Sequence, residues 1–279
     1  MKTKTEMPAV ADERVDGGVR SVQVALDVLE AVAFSDEELG VTQIAERLRL
    51  TKGSVHRHLL TLVERGYLVQ NPATTRYARG PRSRLLAHYA PDTDLIQLAN
   101  GPMRELRDQL GHSVVLSEWT PRGALVLSMV VGTAAIEIGV RPGSELQFHS
   151  SAQGKVLLAF ASPAQRERAL GKQLASFTPH TVTDVKALER ELARVANDGF
   201  ATAPEQAMLG INAVAAPIFD TKNSCIGALA LVGSIQFLPA DIDAKSVAAL
   251  KAAAGQISRM LGHGRVNHSD GRSTRQKTA

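Results

Sequence analysis

Residues 41 to 68, VTQIAERLRLTKGSVHRHLLTLVERGYL, hold two short helical patterns separated by a break with room only for a tight turn. In the first, Ile44, Ala45 and Leu48 share one face, Thr42 is the expected cap, and the pattern ends near Arg49. Thr51 then suits the N-cap of a second helix beginning at Lys52, with Leu50 and Val55 positioned as a hydrophobic staple. Val55, Leu59, Leu62 and Val63 make its apolar stripe, and Gly66 closes it. At 100° per residue, Gly53, Ser54, Arg57 and Thr61 fall on the opposite side, with Lys52 in the first turn and His56 on the flank. Upstream, Ser21 to Ala33 reads as a further helix capped by Ser21, with Val22, Leu26, Leu29, Val32 and Ala33 at helical spacing. Downstream, Tyr67–Gln70 and Arg76–Arg79 read as strands around the turn formers Asn71 and Pro72, with Arg76 at the hairpin tip. Two helices across a tight turn, followed by a hairpin, constitute a winged helix-turn-helix whose second helix fits the DNA major groove.

Charge supports that reading. From Arg47 to Arg84 there are nine basic residues (Arg47, Arg49, Lys52, Arg57, Arg65, Arg76, Arg79, Arg82, Arg84) against Glu64, whereas Leu85 to Gly262 carries 15 basic and 16 acidic residues. A positive field confined to the helices and wing attracts a phosphate backbone. Lys52, Ser54, His56 and Arg57 are therefore expected to reach base edges. Thr51, Gln43 and Thr61 are expected to serve backbone or edge contacts, and Arg76 a contact from the wing. Since one recognition helix reads only a few base pairs, a two-fold dimer on double-stranded DNA is expected.

A chain of 279 residues suits two domains. It contains no apolar run of bilayer length and no secretory segment at its start, so the expected location is cytoplasmic, without a membrane partner. Cys225 is the only cysteine, which excludes an intrachain disulfide and a cysteine-held zinc. It reads as a small buried apolar residue. The expected layout is a tail at 1–18, the winged helix-turn-helix at 19–80, a linker helix at 81–92, an effector-binding and oligomerisation domain at 93–262, and a basic tail at 263–279. Both tails lack periodic apolar residues and are expected to be disordered.

Within 93–262, Asp94–Leu110, Gln153–Ala161, Val185–Asn197 and Asp241–Leu261 read as helices. Val114–Trp119, Ala124–Val131, Ala135–Val140, Ala213–Phe219 and Ile226–Val232 read as strands. This order predicts an α+β domain on a mainly antiparallel sheet.

The stretches SVQVALDVLEAVA, VTQIAERLRLTKGSVHRHLLTLVERGYL and RYARGPRSRLLA resemble the DNA-binding domain of the IclR-type transcriptional regulators. Further on, LGHSVVLSEW, FHSSAQGKVLLAF and LARVANDGFATAPEQAMLGINAVAAPIFDTKNSCIGALALVG resemble that family's effector domain, in the same order. The resemblance covers about residues 20 to 262. It implies a GAF-like or profilin-like effector domain behind a helical linker, dimers that pair into tetramers, and control of catabolic genes, more often by repression than activation. Relatives that sense small 2-oxoacids present polar groups where this chain has Ala152, Gln153, Ala203, Ala213, Ala230 and Val232. With Ile138, Leu146, Phe148 and Ile211 around them, the implied pocket is mostly apolar, with Gln153, Lys155 or Glu205 as polar contacts. An apolar pocket cannot offset desolvation of a small charged acid, so an aromatic or alkyl carboxylic acid is expected. Lys155 suits either that pocket or the surface.

Two other classes remain open: a small-molecule hydrolase, and a constitutive DNA-binding protein whose C-terminal domain only dimerises. Against the enzyme, HSSAQGKV lacks the glycine and hydroxyl of a phosphate loop, and neither G-x-S-x-G nor H-E-x-x-H occurs. No cofactor and no metal is expected.

Overall fold

The computed structural model describes residues 18–35, 37–88, 95–134, 138–171 and 173–264. It divides into two compact units, one ending at Asp94 and the other beginning at Leu95. The expected tails fall almost entirely outside the described residues, as do positions 89–92 of the linker helix.

The first unit contains α1 (Arg20–Ala33), α2 (Val41–Leu48), α3 (Lys52–Glu64), a two-stranded hairpin of β1 (Leu68–Gln70) and β2 (Tyr77–Arg79), and α4 (Pro81–His88). Thr51 caps α3 by accepting from the Ser54 amide at 3.3 Å. Gly66, at φ +74°, turns the chain out of α3 in the left-handed region where glycine is unstrained. Val28, Val32, Ile44, Val55, Leu59, Leu68 and Tyr77 form the core of the unit.

Three local expectations are corrected here. Helix α1 starts at Arg20 behind Val19 with no side-chain cap, so Ser21 lies inside it. Its core face is Val24, Val28, Ala31 and Val32, whereas Val22 and Leu26 are 54% and 49% exposed. Gly40, not Thr42, is the N-cap of α2, and its amide donates to Gln43 Oε1 at 3.0 Å.

The second unit is built on a six-stranded antiparallel sheet in the order β5-β4-β3-β8-β7-β6. Its strands are β3 (Ser113–Thr120), β4 (Gly123–Val130), β5 (Glu145–Leu146), β6 (Ala201–Thr202), β7 (Ile211–Phe219) and β8 (Cys225–Ser234); its helices are α5 (Leu95–Leu110), α6 (Ala152–Ala159), α7 (Pro163–Leu170), α8 (Val185–Asp198) and α9 (Ala244–Met260). Strand alternation sends Val114, Leu116, Leu229 and Leu231 into a core shared with α5 and α9. On the other face, Val115, Ala215, Ala228, Ala230 and Val232 pack against α6 and α8. The alanines on that face leave room for α6, all eight residues of which are buried.

The proposed strand at 135–140 is not present where it is described: 138–140 carry no strand, and 135–137 lie outside the described residues. Helix α7 and strands β5 and β6 escaped the periodicity reading because they are short, and α7 buries no residue. A signal for α7 was present, since Ser162 caps the Gln165 amide and Pro163 opens the helix.

Candidate functional site

In the first unit, α2 and α3 meet through Arg49, which adopts the left-handed conformation at φ 53° and lets Thr51 begin the next helix two residues later. That turn leaves one side of α3 uncovered. Lys52, Gly53, His56, Arg57 and Thr61 are exposed there, and Ser54 is half-buried. Thr61 Oγ1 donates back to the Arg57 carbonyl at 3.3 Å. Leu60 also lies exposed, an apolar position that helical periodicity alone assigned to neither face.

Arg76 is not at the hairpin tip. It stands just before β2, and its Nη1 donates to the Glu38 carbonyl and to Gln43 Oε1, both at 3.0 Å. Gln43 and Arg76 thus form one fixed pair between the start of α2 and the wing. The wing is anchored again by Glu38, whose carboxylate accepts from Asn71 Nδ2 and Thr74 Oγ1 at 3.0 Å. Of the basic residues counted in this segment, Arg47 serves the fold, donating to the Ala31 carbonyl at the end of α1 at 3.0 Å.

In the second unit, a recess lies where the N-terminus of α6 meets β7 and the loop after β6. Leu146, Gln153, Ala203, Ile211, Ala213 and Val232 line it, together with Val140, Ser150, Ser151, Ala207, Met208 and Asn212. Ile138, Phe148, Ala152 and Ala230 are not in its lining. Ala152 and Ala230 are fully buried in the core behind it, and Phe148 stacks on Trp119 with ring centroids 4.1 Å apart. The sequence carried no signal for Ala207 and Met208, which sit in an irregular loop. Ser150 and Ser151 could have been found, because Ser151 is the N-cap of α6.

The polar groups of the recess are few. Asn212 is spent on the fold, donating to the Leu238 and Pro239 carbonyls at 3.0 and 2.8 Å. Ser151 Oγ donates to the Gln147 carbonyl and accepts from the Gly154 amide. Gln153 is different: it is 1% exposed and its Nε2 has no partner among the described residues. Buried donors left unpaired are costly and uncommon, so this one is available to an acceptor brought in by a ligand. The amide-rich start of α6 adds positive potential at the same place.

Lys155 faces neither the recess nor the surface. It is fully buried, and its Nζ donates to Glu191 Oε1 at 2.6 Å and to the Thr202 carbonyl at 3.1 Å. Burial pushes its ammonium below the ordinary lysine value, against the pull of Glu191. Glu205 is outside the lining as well, its carboxylate accepting from the Gly210 amide at 2.8 Å and lying 3.7 Å from His180 Nε2. Burial pushes the Cys225 thiol up to about 12, which leaves it protonated and inert.

Comparison with known proteins agrees with this architecture in both units. The family description "IclR helix-turn-helix domain" matches residues 21–72, and "Bacterial transcriptional regulator IclR C-terminal" matches residues 87–259. The HTH-type transcriptional regulator BhcR of Paracoccus denitrificans is 32% identical over 240 residues, 85% of this chain and 86% of that protein. The HTH-type transcriptional regulator XynR of Escherichia coli is 30% identical over 251 residues, 88% of this chain and 98% of that protein. Among solved structures, an IclR homologue from Microbacterium hydrocarbonoxydans complexed with 4-hydroxybenzoate has 27% identity and a TM-score of 0.71, covering 87% of this chain and 99% of that one. The chain belongs to the IclR family of bacterial transcriptional regulators, proteins that bind DNA and are not enzymes.

Proposed function

We propose that this regulator is a cytoplasmic repressor of a catabolic operon, released from its operator by a carboxylic acid with an aromatic or otherwise apolar body. The observation that carries the effector class is the recess itself. Eight of its lining side chains (Val140, Leu146, Ala203, Ala207, Met208, Ile211, Ala213, Val232) are apolar. One buried amide, Gln153 Nε2, is unpaired beside the start of α6. A carboxylate would take that amide and the helix-terminal N–H groups, and the apolar wall would take the body of the ligand. The 4-hydroxybenzoate held by the Microbacterium homologue supports the same class.

On the DNA side, Lys52, Ser54, His56 and Arg57 reach the major groove, Thr51 and Thr61 flank them, and the Gln43–Arg76 pair meets the backbone. Two copies read two half-sites as a homodimer, and two dimers pair on longer operators. The exposed Val19, Val22 and Leu26 of α1, with Leu85 and Leu86 of α4, support a second copy as the partner of the first unit.

Calorimetric titration with benzoate, 4-hydroxybenzoate, pyruvate and glyoxylate tests the effector class, and Trp119, stacked on Phe148 two residues before the lining residue Ser150, gives a fluorescence readout in parallel. The aromatic acids are expected to bind and to lower operator affinity in a gel-shift assay. Micromolar binding of pyruvate or glyoxylate without binding of the aromatic acids would overturn the reading.

A further inference from the structure

Both walls of the recess are tied to one short segment that lines neither. On the α6 side, His149 precedes the lining residue Ser150 and is 3% exposed. Its Nε2 donates to the Ala175 carbonyl at 2.8 Å, and its ring packs on Phe177 with centroids 5.9 Å apart. On the opposite side, the loop carrying the lining residues Ala203, Ala207 and Met208 forms a roof. Thr178 Oγ1 donates to the Glu205 carbonyl and Thr181 Oγ1 to the Gln206 carbonyl, each at 2.6 Å. The same hydroxyls accept from the segment's own backbone: Thr181 Oγ1 from the Phe177 and Thr178 amides at 3.0 and 2.9 Å, Thr178 Oγ1 from the His180 amide at 3.1 Å. Residues 175–181 are therefore a rigid knot that grips the roof with two hydroxyls and the α6 wall with one carbonyl and one ring.

The roof needs that grip. Glu205 sits at φ +54°, a left-handed conformation that a non-glycine residue holds only when its surroundings enforce it. Within the loop, the Glu205 amide donates to the Ile211 carbonyl and the Glu205 carboxylate takes the Gly210 amide. Those bonds close the loop on itself without fixing its distance from α6. The stem of the loop is held to α6 by Lys155 Nζ on the Thr202 carbonyl, and the threonine hydroxyls hold its far part, at Glu205 and Gln206.

We propose that residues 175–181 are a strap that sets the width of the recess, with Thr178 and Thr181 as positioning residues for ligand selection. This rests on reading the recess as the effector site. Valine at either position keeps the shape of the side chain but removes the donor to the roof and the acceptor for the strap's own amides. Serine keeps both.

Hydrogen–deuterium exchange on the full-length protein, read by mass spectrometry, tests the strap without any ligand. In Thr178→Val and Thr181→Val, amides of 149–153 and of 203–210 are expected to exchange together about tenfold faster, the effect of one lost buried hydrogen bond. Those of β7 and β8 are expected to stay as in the wild type, and Thr178→Ser and Thr181→Ser to behave as wild type throughout. Acceleration confined to 175–181 or to one wall, or none at all, overturns the strap. If the valine variants do not fold, Phe177→Leu, which breaks no hydrogen bond, decides: both walls are expected to loosen together, and unchanged exchange overturns the proposal. In the same set, benzoate affinity is expected to fall about tenfold in the valine variants and to be kept in the serine variants, on the same hydrogen-bond scale. Benzoate failing to bind even the wild type would count against the carboxylate reading of the recess, and the exchange results would still judge the strap.

Discussion

Lys155 illustrates how little a side chain's type says about its place. In sequence it follows a glycine near the start of a helix; in the fold that helix is buried on every side, so the ammonium is held by Glu191 and the Thr202 carbonyl. Removing one partner of a buried ion pair strands the other, so Glu191→Ala is expected to cost roughly 3 to 5 kcal/mol in urea unfolding. An unchanged midpoint would show the pair to be dispensable. His149 gives a pH signature. Burial holds its imidazole below the ordinary value of 6.5, opposed by the bond to Ala175 and aided by nearby Lys155. A folded value below the unfolded one means that the unfolded chain binds the extra proton, so the contribution is fully present above 6.5 and is lost as pH falls below it. The fall in Tm between pH 7.5 and 5.5 should therefore be shallower in His149→Asn than in the wild type, and parallel profiles would remove His149 as the cause. The exposed position of Arg57 was legible because capping and an apolar stripe fix which way α3 faces. Arg57→Ala is expected to cost roughly 1 to 3 kcal/mol of operator discrimination, the worth of one bidentate guanine contact, with relaxed preference at one position of the site. Equal loss on all sequences would make it a phosphate contact instead.

Elements that stand half in water announced themselves, and elements buried on both sides did not. Helix α3 and helix α8 show clean apolar stripes with good caps, Thr51 and Asp184, and their bounds were read to within a residue. Helix α6 offers no stripe, since every residue is inside, and only Ser151 marked its start. The recess was legible in its strands and at Gln153, where the helix begins, but the roof only at Ala203: its other residues are irregular, and their position depends on hydroxyls some 25 residues away in sequence. Even in α1, the periodicity was read correctly as helical and Val32 and Leu29 do meet the core, but Val22 and Leu26 stand exposed, because apolar residues occupy two faces and only one can pack against α2 and α3. Close approach at α6 yields a sharp test. A Cβ on Gly154 would lie 2.5 Å from the Gln147 carbonyl oxygen and 2.6 Å from Phe148 Cα, both backbone atoms that cannot step aside alone. Gly154→Ala is therefore expected to destabilise by more than the ~1 kcal/mol that a helical glycine normally gives up to alanine, and in the opposite direction, reversing the usual propensity. A stabilised variant in thermal unfolding would show that the wall at 147–148 yields readily.

At the scale of the molecule, charge is divided within the first unit rather than between units: residues 20–46 carry six acids against Arg20, and the nine basic residues of 47–84, on the second half of the helix-turn-helix and the wing, face Glu64 alone. Phosphate attraction is thereby concentrated on the exposed side of α3 and on the wing. One such unit presents a single recognition helix, too short a reader to pick an operator out of a genome, so specificity calls for a second copy. The apolar residues that α1 turns away from its own core are where that copy is expected to sit. Val19 is 64% exposed, and Val22 and Leu26 follow it at helical spacing on a protein whose other α1 apolar side chains pack inward. Sedimentation of the full-length chain at micromolar concentration is expected to give twice its 29.8 kDa, or a multiple of that dimer. Val22→Glu combined with Leu26→Glu places like charges on the shared face of both copies, and a desolvated like-charge contact costs several kcal/mol. Operator affinity should then fall by about a hundredfold or more as the two reading heads lose their fixed spacing, while affinity for benzoate, bound in the other unit, stays as it was. A wild-type chain that sediments as a monomer both with and without operator DNA would overturn the dimer, and a double variant that keeps its operator affinity would move the contact between copies away from α1.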